Sequence, residues 1–423
     1  MMTLKRFIRL GLLSAAIGIP NGLVRADSLD DAVGAVMVHH KIPGLSLAIV
    51  DGGKLVQARA YGVVAAGRSE PIRTDTLFLA GSISKSVTAV GALHLVDAGK
   101  LALDTNVNET LRTWHVPENE YTRREKVTVR RLLSHTAGMV DYNFSGYAPD
   151  APLPRLEQIL NGVKPANARA VEVVAVPGSA WRYTGIGYVV LQQLMIDVSG
   201  EPFPDTMRRA VLAPWGMQDS TFAQPLPAGL VPRAATGHDE KGVPLHDRWR
   251  VYPEMAAAGL WTTPSDLARF IIGVQEALHG ASANAVLSPE LARQMVTREK
   301  QDDGLGFFLK GWGSTRRFLH HGRTDGFDAT FTGYCHTGQG AVIMINCNDY
   351  TDGMAEIMSA IATAYHWRGY PNGDWSDHVL TPLNRVRELL GWRDVAVAAI
   401  AAGLAWALII RLRHRHRQSA VRK

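Results

Sequence analysis

Gly81-Ser82-Ile83-Ser84-Lys85 places a hydroxyl and an amine three residues apart, just ahead of an apolar stretch. On a helix such residues share a face, so Lys85 reaches the Ser82 hydroxyl while the helix N-terminus lends partial positive charge. A serine becomes a nucleophile when a base takes its proton, and a lysine partly desolvated in a pocket is neutral enough to be that base. The same two residues also read as a helix-capping serine and a solvent-facing lysine, so the pair needs partners before it means chemistry.

Two later stretches supply them. Pro177-Gly178-Ser179-Ala180-Trp181-Arg182-Tyr183-Thr184-Gly185-Ile186-Gly187-Tyr188 presents Tyr183 on a Gly-rich loop, where nearby cations can lower its pKa and let it relay a proton. The plain alternative is a tyrosine packing its own loop. Leu319-His320-His321-Gly322-Arg323 reads as a strand whose edge offers backbone N–H groups to an oxyanion, with Gly322 allowing close approach. Adjacent strand residues point to opposite faces, so His320 and His321 make a poor metal pair.

In this order the three features resemble the serine β-lactamase-related family, which includes class C β-lactamases, D,D-peptidases, D-amino-acid amidases and some esterases. The resemblance spans roughly residues 30–367. It extends to Leu132-Leu133-Ser134-His135-Thr136-Ala137-Gly138, to Pro214-Trp215-Gly216-Met217 with Thr221-Phe222, and to Ala258-Gly259-Leu260-Trp261-Thr262-Thr263-Pro264-Ser265-Asp266-Leu267-Ala268. It implies that Ser82 is the acylated serine, Lys85 its base, and Tyr183 the tyrosine of the Y-x-N motif. His320-His321-Gly322 matches the K-T-G strand motif, so His320 is expected beside Tyr183, orienting substrate, and the N–H groups of Ser82 and Arg323 are expected to form the oxyanion hole. Gly185 and Gly322 fall at substrate-binding positions. The resemblance implies no metal and no organic cofactor. His135 reads as a hydrogen-bonded structural histidine.

Two positions depart from the family pattern. Gly185 stands where Y-x-N has asparagine, which removes an amide that would grip an acyl-amide side chain. His320 stands where class C β-lactamases carry lysine, and a histidine holds less positive charge near neutral pH, weakening carboxylate recognition. Arg323 is a candidate for partial compensation.

The elements that must position these residues follow from patterning. Residues 45–50 and 55–61 flank Asp51-Gly52-Gly53 as a hairpin, and residues 82–98 repeat apolar positions at helical spacing before Gly99. Helical stretches at 187–198 and 264–277 lie within a Pro- and Gly-punctuated region. Strand patterns return at 318–322, 329–335 and 341–347, followed by an apolar-patterned helix at 353–365. The expected fold is α+β, of the β-lactamase/transpeptidase kind: an antiparallel sheet flanked by helices, built from about 27–105 and 300–367, with a helical insertion over about 106–299. With the turn at Thr337 to Gly340, Cys335 is expected near Val342 and Cys347 near Thr330, which keeps the only two cysteines apart.

The net charge of +6 over 423 residues is concentrated at the ends. Residues 1–26 hold four basic residues and 411–423 hold six, with no acid in either segment; the remainder carries 35 basic against 39 acidic residues. A basic patch for nucleic acid is therefore not indicated. Residues 1–26 read as a secretory signal cut after Ala26. Residues 395–410 contain no charge and span about 24 Å as a helix, against a hydrocarbon core of about 30 Å. Trp392, Arg393 and Arg411 can cover the difference. A transmembrane helix is expected over 395–412, after a linker and amphipathic segment at 368–394. The basic tail at 413–423 belongs in the cytoplasm by the positive-inside rule.

The function expected from all this is an exported serine hydrolase of small esters, amides or peptides, held at the bacterial inner membrane with its catalytic domain in the periplasm. A β-lactamase or D,D-carboxypeptidase is the second expectation, disfavoured by Gly185 and His320. A catalytically silent tethered binding or sensor module is the third, disfavoured by the retention of Ser82, Lys85 and Tyr183 together.

Overall fold

A computed structural model of the chain describes residues 23–140, 144–281, 286–349 and 352–370. The expected transmembrane run, the basic tail, nearly all of the linker and most of the signal segment lie outside the described residues. Among those described, no helix is long and apolar enough to cross a membrane. The expected cut after Ala26 falls in the first turns of a helix spanning Leu23–His39.

The strands are β1 (Gly44–Asp51), β2 (Lys54–Gly62), β3 (Phe78–Leu79), β4 (Trp261–Thr262), β5 (Phe308–Lys310), β6 (Arg317–Thr324), β7 (Phe327–Tyr334) and β8 (Gly340–Ile345). Six of them form one antiparallel sheet in the order β2-β1-β8-β7-β6-β5, while β3 and β4 pair separately. Hairpins build most of this order, and the β1–β8 pairing joins the two ends of the domain. The expected hairpin, the three late strands and the helices over Ile83–Asp97, Ile186–Ser199, Pro264–His279 and Gly353–Ala364 are all present.

β1 shows why the sheet is buried on both faces. Successive side chains point to opposite faces. Leu45, Leu47 and Ile49 accordingly join Ile343 and Ile345 in a cluster with Val33, Ile357 and Ile361 of the two terminal helices. Ala48 and Val50 join Val342 and Met344 in the larger core on the other face, which also holds the helices around Ser82 and Pro264.

The β7–β8 register differs from expectation. Gly333 pairs with Gly340 and Phe331 with Val342, and the Tyr334 N–H donates to the Gln339 carbonyl. The turn is the same length as the expected loop over 337–340 but runs through residues 335–338, two positions earlier, so every pair shifts by four. Cys335 and Cys347 still do not meet, and both are free and buried.

Candidate active site

The helix Ile83–Asp97 is buried on every side over its first eleven residues, so its polar side chains must find partners inside the protein. Ser84 Oγ donates to the Gly81 carbonyl at 2.6 Å and accepts the Leu260 N–H at 3.0 Å, while Ser86 donates to the Gly306 carbonyl at 2.7 Å. These bonds lock the helix to the 254–260 and 304–308 segments.

Ser82 is the N-cap, but its hydroxyl caps nothing. It accepts instead from Lys85 Nζ at 2.9 Å, and the same ammonium donates to the Ala257 carbonyl at 2.9 Å. Lys85 is 3% exposed, which rules out the solvent-facing alternative. Burial pulls its pKa down to about 7, so near neutrality a large share of it is the free amine.

β6 lies against the start of this helix backbone to backbone. A methyl group on Gly322 would sit 1.9 Å from the Ala80 carbonyl oxygen and 3.2 Å from the Ser82 nitrogen. One on Gly81, at φ +52, would sit 2.6 Å from the Arg323 nitrogen. The two amides expected to face an oxyanion are thus carried on strands of backbone that only glycines allow to come together. The Arg323 side chain is committed elsewhere: Nε donates to Asp328 at 2.7 Å and Nη2 to the Asp349 carbonyl at 2.7 Å. It does not supply the compensating cation considered for a substrate carboxylate.

Tyr183 arrives on a loop braced from two directions. The Gly178 N–H donates to the Thr136 carbonyl, the Arg182 N–H to the His135 carbonyl, and Thr184 Oγ1 to the Val140 carbonyl. From the other side Trp181 Nε1 donates to Asp303 at 2.6 Å, and Lys300 Nζ to the carbonyls of Gly178 and Ser179. The result puts the Tyr183 ring centroid 5.2 Å from Lys85 Nζ, 4.5 Å from the His135 ring and 6.2 Å from the His320 ring. His135 is the structural histidine expected: buried, with Nδ1 accepting the Thr184 N–H at 3.3 Å.

His320 stacks on Phe308 at 4.9 Å, and its Nδ1 lies 2.6 Å from the His321 carbonyl. Burial, and then the nearby Lys85 charge, push its pKa down to about 3. The ring is neutral at physiological pH, and because a carbonyl can only accept, Nδ1 carries the proton and Nε2 is left as an acceptor. His321, one residue on, is exposed, as strand alternation requires.

The structure changes the reading of both glycines expected at the substrate. The space beside Gly322 belongs to the Ala80 carbonyl, so this glycine seats β6. The space beside Gly185 belongs to Phe144, whose Cε2 would lie 2.4 Å from a methyl group there. Sequence reasoning missed Phe144, the Ala257 carbonyl and the Trp181–Asp303 brace. Ala257, next to the Ala258-Gly259-Leu260 signature, and Trp181, inside the Tyr183 stretch, lay beside a signal; Phe144 and Asp303 did not.

The family model for β-lactamases matches residues 29–365. The chain belongs to the β-lactamase family. It is 30% identical over 292 residues to penicillin-binding protein 4 of Amycolatopsis lactamdurans, covering 66% of this chain and 72% of that one. It is 25% identical over 317 residues to the esterase EstB of Burkholderia gladioli, covering 68% and 78%. Among solved structures, a class C β-lactamase superposes with a TM-score of 0.65 at 23% identity, over 83% of this chain and 98% of that one. The D-amino acid amidase of Ochrobactrum anthropi SV3 superposes with a TM-score of 0.64 at 21% identity, over 80% and 99%. The fold is the α+β fold of this family, and the chain is a serine hydrolase.

Proposed function

We propose that this β-lactamase-family hydrolase cleaves a small ester, amide or peptide through an acyl-enzyme on Ser82. The observation that carries the reading is the buried Lys85 amine, 2.9 Å from the Ser82 hydroxyl and held near neutrality. Lys85 takes the Ser82 proton, and Oγ forms a bond to the substrate carbonyl carbon. The N–H groups of Ser82 and Arg323 hold the oxyanion. Tyr183 passes a proton to the departing alcohol or amine, whose bond to the carbonyl then breaks, and regains one from Lys85, so that both start the second half as they began the first. Water attacks the acyl-enzyme in the second half, releasing the acid and returning the proton to Ser82. His320 orients substrate as a neutral acceptor.

A β-lactamase or D,D-carboxypeptidase is the second reading, favoured by the likeness to a penicillin-binding protein. A neutral His320 and an Arg323 committed to Asp328 weigh against recognition of a substrate carboxylate. Labelling of wild type and Ser82→Ala with a fluorescent phosphonate and a fluorescent penicillin, beside turnover of chromogenic esters, separates the two. Ser82-dependent phosphonate labelling and ester turnover are expected. Efficient penicillin hydrolysis reverses the ranking, and no Ser82-dependent reaction with any probe ends the mechanism.

We also propose that the enzyme is exported by residues 1–26 and anchored by 395–412 at the outer face of a bacterial inner membrane. The uncharged run and the basic residues after it support this. Truncation before Val395 is expected to move activity from membranes to the soluble fraction; full-length protein already soluble removes the anchor.

A further inference from the structure

Phe144 covers the start of the helix that follows Tyr183. Its ring lies against Gly185, two residues past Tyr183, with Cε2, Cδ2 and Cζ at 2.4, 3.2 and 3.3 Å from where a Gly185 side chain would begin. It packs partly buried against the main core.

Its mount is rigid. Three residues on, Tyr147 pairs with Val251 through two backbone hydrogen bonds of 2.9 and 2.8 Å. Gly146, at φ +66, lies so close to Arg250 and Tyr252 that a methyl group would sit 2.7 Å from Arg250 Cβ. Asn167 closes the other side, its Nδ2 donating to the Gly146 carbonyl at 3.0 Å and its N–H to the Tyr147 hydroxyl at 3.0 Å. The 250–252 stretch leads directly into the turn whose Ala257 carbonyl holds Lys85. The strand pairing that follows Phe144 and the turn that holds Lys85 thus lie on one stretch of chain.

Resting on the reading of Ser82 as nucleophile, we propose that Phe144 is the wall against which the acyl group of the substrate packs, and that it selects unsubstituted apolar acyl groups over acylamino ones. A phenyl face offers dispersion contact and no hydrogen-bond partner, so an amide pressed against it loses its water without replacement. An alkanoyl or arylalkanoyl chain loses nothing there and gains the contact.

The test uses full-length protein in detergent with two p-nitrophenyl esters sharing a leaving group, the hexanoate and the N-acetylglycinate. Phe144→Ala is expected to lower the hexanoate-to-acetylglycinate ratio of kcat/KM by about tenfold, the scale of a lost apolar contact in a pocket. Phe144→Leu is expected to stay within about threefold of wild type, because it keeps apolar bulk. Gly185→Ala, which pushes a methyl group into the ring, is expected to move the ratio in the direction of Phe144→Ala. A purely structural Phe144 would slow both esters alike, and an unchanged ratio with Ser82-dependent phosphonate labelling intact overturns the assignment alone. Absence of that labelling in wild type overturns the nucleophile and the assignment together.

Discussion

On one side of the pocket, nucleophile and base sit three residues apart on a single buried helix. On the facing side, Tyr183 and the Ala257 carbonyl arrive on short segments from separate stretches of chain, and Phe144 packs against Gly185 from a third. The helix side needs no loop to be correct before Ser82 and Lys85 meet. The facing side is correct only when His135, Asp303, Val251 and Asn167 have each closed a bond to a distant segment. Chemistry thus rests on a contiguous element, and its fine placement on loops held by tertiary contacts.

The sharpest way to break this comparison is to remove the base while keeping its volume. Lys85→Met is expected to lower kcat/KM for a chromogenic ester by roughly a thousandfold, the scale of a general base. Its thermal midpoint should not fall, because a buried amine is replaced by an apolar chain. Ester kinetics beside calorimetry checks both; retained turnover would remove Lys85 from the chemistry.

The helix side also depends on β6 coming close. Gly322→Ala sets a methyl group 1.9 Å from a backbone carbonyl that no rotamer change can move. A loss of about 3 kcal/mol in stability is expected by denaturant titration, typical of overpacking, together with slower phosphonate labelling at Ser82.

The facing side carries a stored cost. Glu254 begins the turn that presents Ala257; its carboxyl is fully buried, neither oxygen has a hydrogen-bond partner, and burial raises its pKa to about 7. A carboxyl raised on folding costs nothing below its unfolded pKa; the cost grows as pH rises from that value to the folded one and levels off above it. Glu254→Gln is therefore expected to match wild type in stability near pH 4 and to exceed it by up to about 3 kcal/mol at pH 8. Equal stability at both values would mean that the carboxylate finds a partner when it ionises.

What was legible in the sequence follows the same division. Leu45, Leu47 and Ile49 alternate with Ser46, Ala48 and Val50, and the helix behind Ser82 repeats at its own period, so local patterning was enough for both. The β7–β8 register lies four residues from the expected one because the turn runs through 335–338 and Gly340, which reads as a turn residue, is instead paired on both sides, with Gly333 and with Val50 of β1. Phe144 and Asp303 left no signal at all. A phenylalanine on a loop looks the same whether it faces a pocket or the core, and an aspartate shows its burial only when Trp181 is brought to it.

The pH profile asks which of two neighbouring bases does the work. Lys85 and His320 are both buried and both pushed downward, but to different ranges: Lys85 to about 7, His320 to about 3. If the free amine of Lys85 takes the Ser82 proton, kcat/KM for a neutral ester rises about tenfold per pH unit below 7 and levels above it. His320 is uncharged across that whole range, so His320→Gln is expected to lower the plateau while leaving the midpoint of the limb where it was. A limb that moves or vanishes in His320→Gln would assign the titration to the histidine, and the facing strand would then supply the base as well as the oxyanion amide.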